Sequence, residues 1–467
     1  MGWSKAEILA ATDGKLWRDG KTKRFGEIVT DSTKVGRGSV FVALKGERHD
    51  GHRYIGDALR RGAACVVAQR AVPRFDYGRA TVVKVRDTLT ALGDLAHFRR
   101  ERLAPKVLAI TGSNGKTTTK EMIAAILEEA RLDSERLRGH VLKTEGNFNN
   151  LVGLPLTLLR LRKRHKVAVV ELGTNRPGEI RRLAQIADPD CGIVTSVAAA
   201  HLEGLSSLAG VAREKGALYE NVRPGGVIAV NLDDPRVRKL AAKFKGKKIT
   251  YGKRGWLRAS ECRMSGKRGM DFILQAGAVR GRVRLNYLGR HNIANALGAS
   301  ALALGVGVAL PAIRRGLAKA KPFSMRMQIK GWRGIGIIND AYNANPASMS
   351  AALQTLAEVR GRGKRIAVLG DMFELGRHSP REHRALGRAA AGAALDGLYL
   401  LGAQAAAVGA GARAAGMKPE KIHIGKDHDD LAERLRAQVQ PGDWLLFKGS
   451  RGMKMERVLE ALKRGRA

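Results

Sequence analysis

Little in this chain can cross-link it or hold a structural metal. Only three cysteines occur, Cys65, Cys191 and Cys262, far apart and without metal-ligand spacing. That argues against a disulfide scaffold and a structural zinc site, and fits a reducing cytoplasm. Aromatic residues are scarce at 5%, too few to interleave with basic runs as a base-stacking platform. Long apolar runs are missing as well. Gly397 to Ala412 carries no charge but is mostly Ala and Gly, too short and too weakly apolar for a bilayer. The first residues include Lys5, Glu7 and Asp13 without an apolar segment, so no signal peptide is expected. Acid is also in short supply. Asp plus Glu is 43 against 84 Lys plus Arg, a net charge of +41.

Such a balance favours polyanionic partners. The basic residues, however, are spread along the whole chain, densest in Arg160 to Lys166 and Lys243 to Lys248. A solvated basic surface is the expectation, with no nucleic-acid partner. With 467 residues, 44% of them apolar, the chain has material for roughly three domains with substantial cores.

The order of apolar runs predicts an α/β protein of three domains. Residues 1–86 are a small α/β segment, with strands at Val40–Leu44 and Cys65–Val67 around a helix near Tyr54–Gly62. Residues 87–319 alternate strand and helix. A polar helix at Thr88–Arg102 leads to buried strands at Val107–Thr111, Val167–Glu171, Gly192–Val197 and Val227–Val230, the mark of a parallel sheet covered on both faces. Short Gly-spaced strands over 248–288 interrupt this, and a helix follows at Asn292–Leu304. Residues 320–467 begin a second, Rossmann-like alternation, with strands at Ile335–Asn339, Arg365–Leu369, Leu398–Leu401 and Trp444–Phe447. Ser379, Pro380 and Glu382 read as N-cap, first helical position and capping-box acid of one of its helices.

The strongest local signal is Thr111-Gly-Ser-Asn-Gly-Lys-Thr-Thr-Thr119, between a buried strand and a helix. The small residues Gly112, Ser113, Asn114 and Gly115 let backbone N–H groups approach phosphate oxygens, and the helix N-terminus adds its dipole. Lys116 supplies charge to the outer phosphates, while Thr117 and Thr118 supply hydroxyls, Thr117 where a phosphate-bound Mg²⁺ needs one. Ile110 stands where the usual pattern has its first glycine. The plainer alternative is a Gly-rich turn with a surface lysine. Ligands gather at the carboxyl ends of parallel strands. Glu171 closes one strand, and His201 follows another. Glu171 is a candidate Mg²⁺ ligand or an ordinary cap or salt-bridge acid. His201 is a candidate ligand or a hydrogen-bonding histidine.

These motifs, together with Glu171-Leu-Gly173, Ala198-Ala-Ala-His-Leu-Glu203 and Gly289-Arg-His-Asn-Ile-Ala-Asn-Ala-Leu297, resemble the Mur ligases. Within that family they are most similar to the branch that adds D-alanyl-D-alanine to a UDP-muramoyl tripeptide. Asp31 to His52 and Lys143 to Pro155 resemble its substrate-binding segments. Asn339 to Ser348, Leu369 to Gly376 and Lys448 to Lys454 resemble its last domain.

The resemblance implies a cytoplasmic, monomeric, ATP-dependent ligase of peptidoglycan synthesis that works through an acyl phosphate. It assigns Lys116 to the phosphates, Thr117 and Glu171 to one Mg²⁺, and His201 and a carbamylated Lys215 to a second. Taken alone, Lys215 is simply a helix lysine. Asn292 and Asn295, three apart on one helix face, are placed near the base, although Asn292 suits a helix cap equally. Arg326, after a hinge at Lys321-Pro322, would reach the γ-phosphate. Asp340 would accept a ribose hydroxyl. Asp31, Ser32, Lys45, Gly46, Asp50, His52, Thr144, Asn147, Asn149 and Asn150 are expected to hold the UDP-linked peptide. Tyr342, Asn343, Asn345, Lys448 and Ser450 are expected to line the cleft for the incoming dipeptide.

Three other readings stay open. A sibling ligase adding a diamino acid would carry Asp-Asn-Pro-Arg in its last domain, whereas Asp233-Asp-Pro-Arg236 lacks the Asn and lies in the central one. A folylpolyglutamate synthase would not need residues 1–86 as they stand. A nucleic-acid-stimulated P-loop ATPase would suit the charge, but no binding module is recognisable.

Overall fold

A computed structural model of the protein describes residues 2–46, 49–70, 75–132, 134–265, 269–359 and 361–464. Glu47 and Arg48, inside the segment Asp31 to His52, lie outside them. The chain forms two compact units. One comprises Met1–Ala109, Gly139–Gly173 and Glu179–Asp190, the other Ile110–Arg138, Thr174–Gly178 and Cys191–Ala467.

The first unit carries a five-stranded sheet in the order Lys15–Arg18, Thr81–Lys84, Cys65–Ala68, Val40–Val42, Ile28–Val29. Its first pair is antiparallel and the rest are parallel. The central strands Val40–Val42 and Cys65–Ala68 are buried throughout, as parallel strands covered on both faces must be. The expected helix after Tyr54 forms as Ile55–Arg60, entered through a 3₁₀ turn at Gly51–Tyr54.

The helix Lys5–Thr12 was not foreseen. Ser4 and Glu7 close a capping box on it, satisfying two N-terminal donors at once. In the helix Thr88–Leu103, the buried Arg100 donates to the carbonyls of Ala187 and Asp188 and to the Asp190 carboxylate, so its charge is partnered inside the fold. Val141–Lys143 and Val167–Glu171 pair in parallel.

In the second unit, Cys191–Val194, Val227–Asn231 and Lys247–Tyr251 run parallel. The interrupting region is a meander of three long antiparallel strands, Leu257–Ser265, Gly269–Ala276 and Val279–Leu285, in place of short strands. A second sheet has the order Gln328–Trp332, Ile335–Asp340, Trp444–Lys448, Arg365–Gly370, Gly397–Leu401, Ile422–Ile424. The last of these strands in sequence, Trp444–Lys448, therefore sits between Ile335–Asp340 and Arg365–Gly370, in parallel with both. Apolar clusters cover its two faces, one around Ile338, Leu369 and Leu446, the other around Ile337, Val368 and Leu445.

The predicted cap at Ser379 is corrected. A 3₁₀ turn at Gly376–His378 runs directly into the helix Ser379–Gly392, and Ser379 itself already has helical φ of −52° and ψ of −51°. Its hydroxyl lies 3.2 Å from His383 Nδ1 instead of capping. The turn supplies the entry that a capping box would otherwise provide. All three cysteines are free.

Candidate active site

The phosphate-loop sequence folds as a turn between the strand Lys106–Thr111 and the helix Lys116–Glu128. Two of its glycines are sterically required. Gly112 has φ of +147°, and a Cβ there would lie 1.9 Å from Thr195 Oγ1. Gly115 has φ of +83°, and a Cβ there would lie 2.2 Å from Asn295 Oδ1. The segment after the strand Cys191–Val194 holds the loop in place. Thr195 N donates to Thr111 O at 2.9 Å, and Ser113 N donates to Ser196 O at 2.9 Å. Ser113 Oγ donates to Ala198 O and accepts from Ala198 N, both at 2.9 Å. Thr195 Oγ1 donates to Asn114 O at 2.5 Å. Gly115 caps the helix without a side-chain acceptor, so this N-terminus presents backbone donors and dipole to an anion. Lys116 Nζ donates to Gly112 O at 2.9 Å, folded back over the loop.

The loop opens into a cavity of about 500 Å³, all of whose lining belongs to the second unit. That volume falls within the roughly 300–1,000 Å³ usual for small-molecule sites. Of the residues expected from sequence, it gathers Ser113, Asn114, Gly115, Lys116, Thr117, Thr118, His201, Asn292, Asn295, Arg326, Asp340, Tyr342, Asn343, Asn345, Lys448 and Ser450. Thr111 and Gly112 do not line it. Thr111 is fully buried under the loop.

Lys215 does not line it either. It sits on the helix Leu208–Glu220 and is 1% exposed. Burial lowers its pKa from 10.5 to about 7, the Lys116 ammonium pushes the same way, and Glu214 opposes. Glu214 is engaged elsewhere, accepting from Thr174 Oγ1 at 3.3 Å and Gly178 N at 2.7 Å.

Two contacts join opposite walls. Asn345 Nδ2 donates to Asn114 Oδ1 at 2.8 Å, while Asn345 Oδ1 caps the helix Pro346–Glu358. His201, at φ of +54°, places Nδ1 2.5 Å from Glu374 Oε2. The close approach of His201 holds the Glu374 carboxyl below its ordinary value against the cost of burial.

Asn292 is not a cap, because Gly289 holds that position. Its Nδ2 donates to Leu288 O at 2.7 Å, and its Oδ1 accepts from Asn295 Nδ2 at 2.9 Å. The Arg326 guanidinium lies 4.0 Å from the Tyr342 ring centroid, and its buried Nε has no hydrogen-bond partner among the described residues. Both oxygens of Asp340 are engaged. Met327 N donates to Oδ1 at 3.0 Å, and Lys448 Nζ donates to Oδ2 at 2.6 Å and to Asn343 O at 2.9 Å.

The remaining expected residues belong to the first unit. Asp31 accepts from the N and Oγ1 of Thr33, and these bonds lower its pKa. Ser32 begins a 3₁₀ turn. The backbones of Lys45 and Asp50 form an isolated antiparallel β-bridge, and Gly46 N donates to His49 O. Asp50 accepts from His52 N and contacts its Nδ1 at 2.7 Å. Around Glu171, Thr144 Oγ1 accepts from Glu171 N at 3.0 Å and Asn149 Nδ2 donates to Glu171 Oε1 at 2.9 Å. Asn147 O accepts from Asn149 N, and Asn150 Oδ1 accepts from the N of Val152 and Gly153.

Sequence reasoning assigned no role to Thr195, Ser196, Asn231, His291, Phe373, Glu374 or Arg451, which also line the cavity. His291 falls within Gly289–Leu297, Phe373 and Glu374 within Leu369–Gly376, and Arg451 within Lys448–Lys454, so position in the motif was the available signal for these four. His291 is pushed down to about 4 by burial, with Lys448 adding to the shift and Asp340 opposing it. Among the described residues, no three His, Cys, Asp or Glu side chains cluster as a metal site.

Comparisons with known proteins agree along the chain. Residues 24–100 match the catalytic domain of the Mur ligase family, 110–303 the Mur ligase middle domain, and 325–451 the Mur ligase glutamate ligase domain. The UDP-N-acetylmuramoyl-tripeptide–D-alanyl-D-alanine ligase of Escherichia coli is 38% identical over 442 residues, 93% of each chain. A MurF crystal structure from Acinetobacter baumannii superposes at a TM-score of 0.91 with 33% identity, covering 100% of this chain and 99% of that one. A Thermotoga maritima MurF ligase in complex with ADP superposes at 0.83 with 30% identity, covering 94% and 97%.

Proposed function

The chain belongs to the Mur ligase family, and on that premise we propose that it is the ATP-dependent ligase joining D-alanyl-D-alanine to UDP-N-acetylmuramoyl tripeptide in peptidoglycan synthesis. The carrying observation is the phosphate loop, with Lys116 folded over it, opening into a cavity that also holds Arg326, Asn292 and Asn295.

The chemistry follows from the weakness of a carboxylate as an acyl donor. A carboxylate oxygen of the tripeptide attacks the γ-phosphorus of ATP, the bond to ADP breaks, and an acyl phosphate forms. The amine of D-alanyl-D-alanine then attacks that carbonyl, inorganic phosphate leaves, and the amine gives up a proton. The loop amides and Lys116 hold phosphate oxygens, and the Arg326 Nε, without a hydrogen-bond partner among the described residues, supports the guanidinium as the γ-phosphate contact. Asn295, held by its bond to the buried Asn292, would offer its amide oxygen to the base. Asp340, its carboxylate held by Lys448, would accept a ribose hydroxyl.

Lys215 fits carbamylation. It is buried, and near neutral pH a large share of its amine is uncharged, the form that adds CO₂. Thr117 would hold one Mg²⁺, and His201 with carbamylated Lys215 a second, supplying neutralising charge at the phosphates. The ties from Asn114 to Asn345 and from His201 to Glu374 support a cavity that closes over the acyl phosphate and excludes water.

We place the uridine nucleotide on Asp31, Ser32, Lys45, Asp50 and His52, and the domain boundaries near residues 86 and 319. No helix among the described residues is long and apolar enough to cross a membrane. We assign the reaction to the cytoplasm, carried out by a single chain without nucleic acid.

ATP turnover by the purified chain tests the reading. Turnover should require both UDP-N-acetylmuramoyl tripeptide and D-alanyl-D-alanine. Turnover stimulated by DNA or RNA and indifferent to those substrates would refute it.

A further inference from the structure

The densest basic run of the sequence has no part in the reaction above. Arg160 to Lys166 connects the helix Gly153–Leu159 to the strand Val167–Glu171 in the first unit. Leu161 is fully buried, and its carbonyl accepts from Arg99 Nε at 3.1 Å and from Arg99 Nη2 at 2.9 Å. With that anchor in place, Arg160, Arg162, Arg164 and His165 line one cavity of about 760 Å³, together with Arg99 and Lys143.

Its lining contains five lysine or arginine side chains against two carboxylates, Glu27 and Glu145. Arg160 meets Glu145 at 2.7 Å, and the exposed Arg162 meets Glu27 at 3.4 Å. No carboxylate among the described residues lies within ion-pair distance of Arg164. His165 Nδ1 accepts from Arg162 N at 3.0 Å, which leaves the neutral ring its proton on Nε2. Burial lowers the His165 pKa, and Arg164, Arg162 and Arg160 lower it further, so the field at the ring is positive despite those two carboxylates. None of the residues assigned above to ATP or to the uridine nucleotide lines this cavity.

We propose that this cavity is a second anion site, taking a compact phosphate-bearing ligand, inorganic oligophosphate or phosphate ester. Guanidinium groups suit phosphate oxygens geometrically, and several of them around one hollow favour a small polyanion. A nucleic-acid backbone would need a long basic stripe instead. Lys143 and Glu145 come from the segment Lys143 to Pro155, whereas the arginines that carry the proposal lie outside every segment assigned to the ligase reaction.

Calorimetric titration of the full chain with inorganic tripolyphosphate tests it. Lys116→Ala removes the contribution of the phosphate loop, and binding should persist in that variant. Adding Arg162→Ala and Arg164→Ala should weaken the remaining binding about tenfold or more, whereas adding Lys163→Ala, exposed and outside the cavity, should leave it unchanged. Circular dichroism establishes that each variant is folded. On the Lys116→Ala chain, adenosine triphosphate binding as tightly as tripolyphosphate assigns recognition to the phosphates alone, and tighter binding adds the nucleoside; both support the site. Absence of binding in the Lys116→Ala chain overturns the proposal. So does binding indifferent to the two arginines, equal weakening by Lys163→Ala, or preference for duplex DNA.

Discussion

Lys448 Nζ lies 2.6 Å from Asp340 Oδ2, although 108 positions separate them in sequence. The two residues are direct neighbours in the register of adjacent parallel strands. The lysine side chain is 3% exposed and the aspartate 14%. Removing one partner strands a buried charge, at a cost of about 3–5 kcal/mol. Lys448→Met should therefore destabilise the protein by about that amount in urea unfolding. Adding Asp340→Asn should recover part of the loss, and a double-mutant cycle reads the coupling.

Gly115→Ala should damage the phosphate loop without abolishing the fold. The substitution sets a Cβ against Asn295 Oδ1 and imposes positive φ on an L-residue, strain on the order of 1–3 kcal/mol. ATP affinity should fall about tenfold or more, measured by equilibrium binding, because the loop amides no longer converge.

Lys215 should leave a signature in stability against pH. Its folded pKa of about 7 lies below the ordinary 10.5, so between those values the unfolded chain binds more protons. Stability therefore rises with pH across that window, by at most about 1.4 kcal/mol per unit from this group. The penalty of burying the ammonium is full below pH 7 and vanishes above 10.5. Lys215→Met should flatten that slope in unfolding midpoints measured across the window. Lys215→Arg keeps a cation that cannot be carbamylated, and its turnover should collapse at limiting Mg²⁺.

Arg326→Lys should separate charge from geometry. The lysine keeps the positive charge but loses the planar fork and the stacking on Tyr342. Turnover should fall about 100-fold or more, with ATP affinity changed far less, if the guanidinium acts on charge developing at the γ-phosphate. Single-turnover and binding measurements distinguish the two effects.

Glu374→Gln should be mild for folding. The carboxylate is 48% exposed, so its pairing with His201 contributes under about 1 kcal/mol in water. Its folded pKa is depressed, so that contribution is present above the ordinary carboxylate range and fades as pH falls through the folded value. Thermal unfolding followed downward from pH 7 should show a small difference from the parent chain that holds through the ordinary carboxylate range and narrows only below it, as the folded carboxylate protonates.

Local chemistry alone determined much of this protein. Buried apolar strands alternating with helices are legible because a parallel sheet covered on both faces needs unbroken Val, Ile and Leu. The phosphate loop is legible because its tight turn needs Gly112 and Gly115. Elements with weak periodicity were harder. The wholly exposed strand Lys15–Arg18 has no inward face to betray it, and Ser379 looked like a cap until the preceding turn proved helical.

Tertiary structure alone decided the rest. It set Asn345 against Asn114, Glu374 against His201 and Lys448 against Asp340, through strand order and the packing of distant segments. It also buried Lys215, turning an ordinary helix lysine into one with a pKa near 7. Sequence spells out which groups are present. Desolvation and proximity exist only once the chain has folded, and they set the charge each group carries.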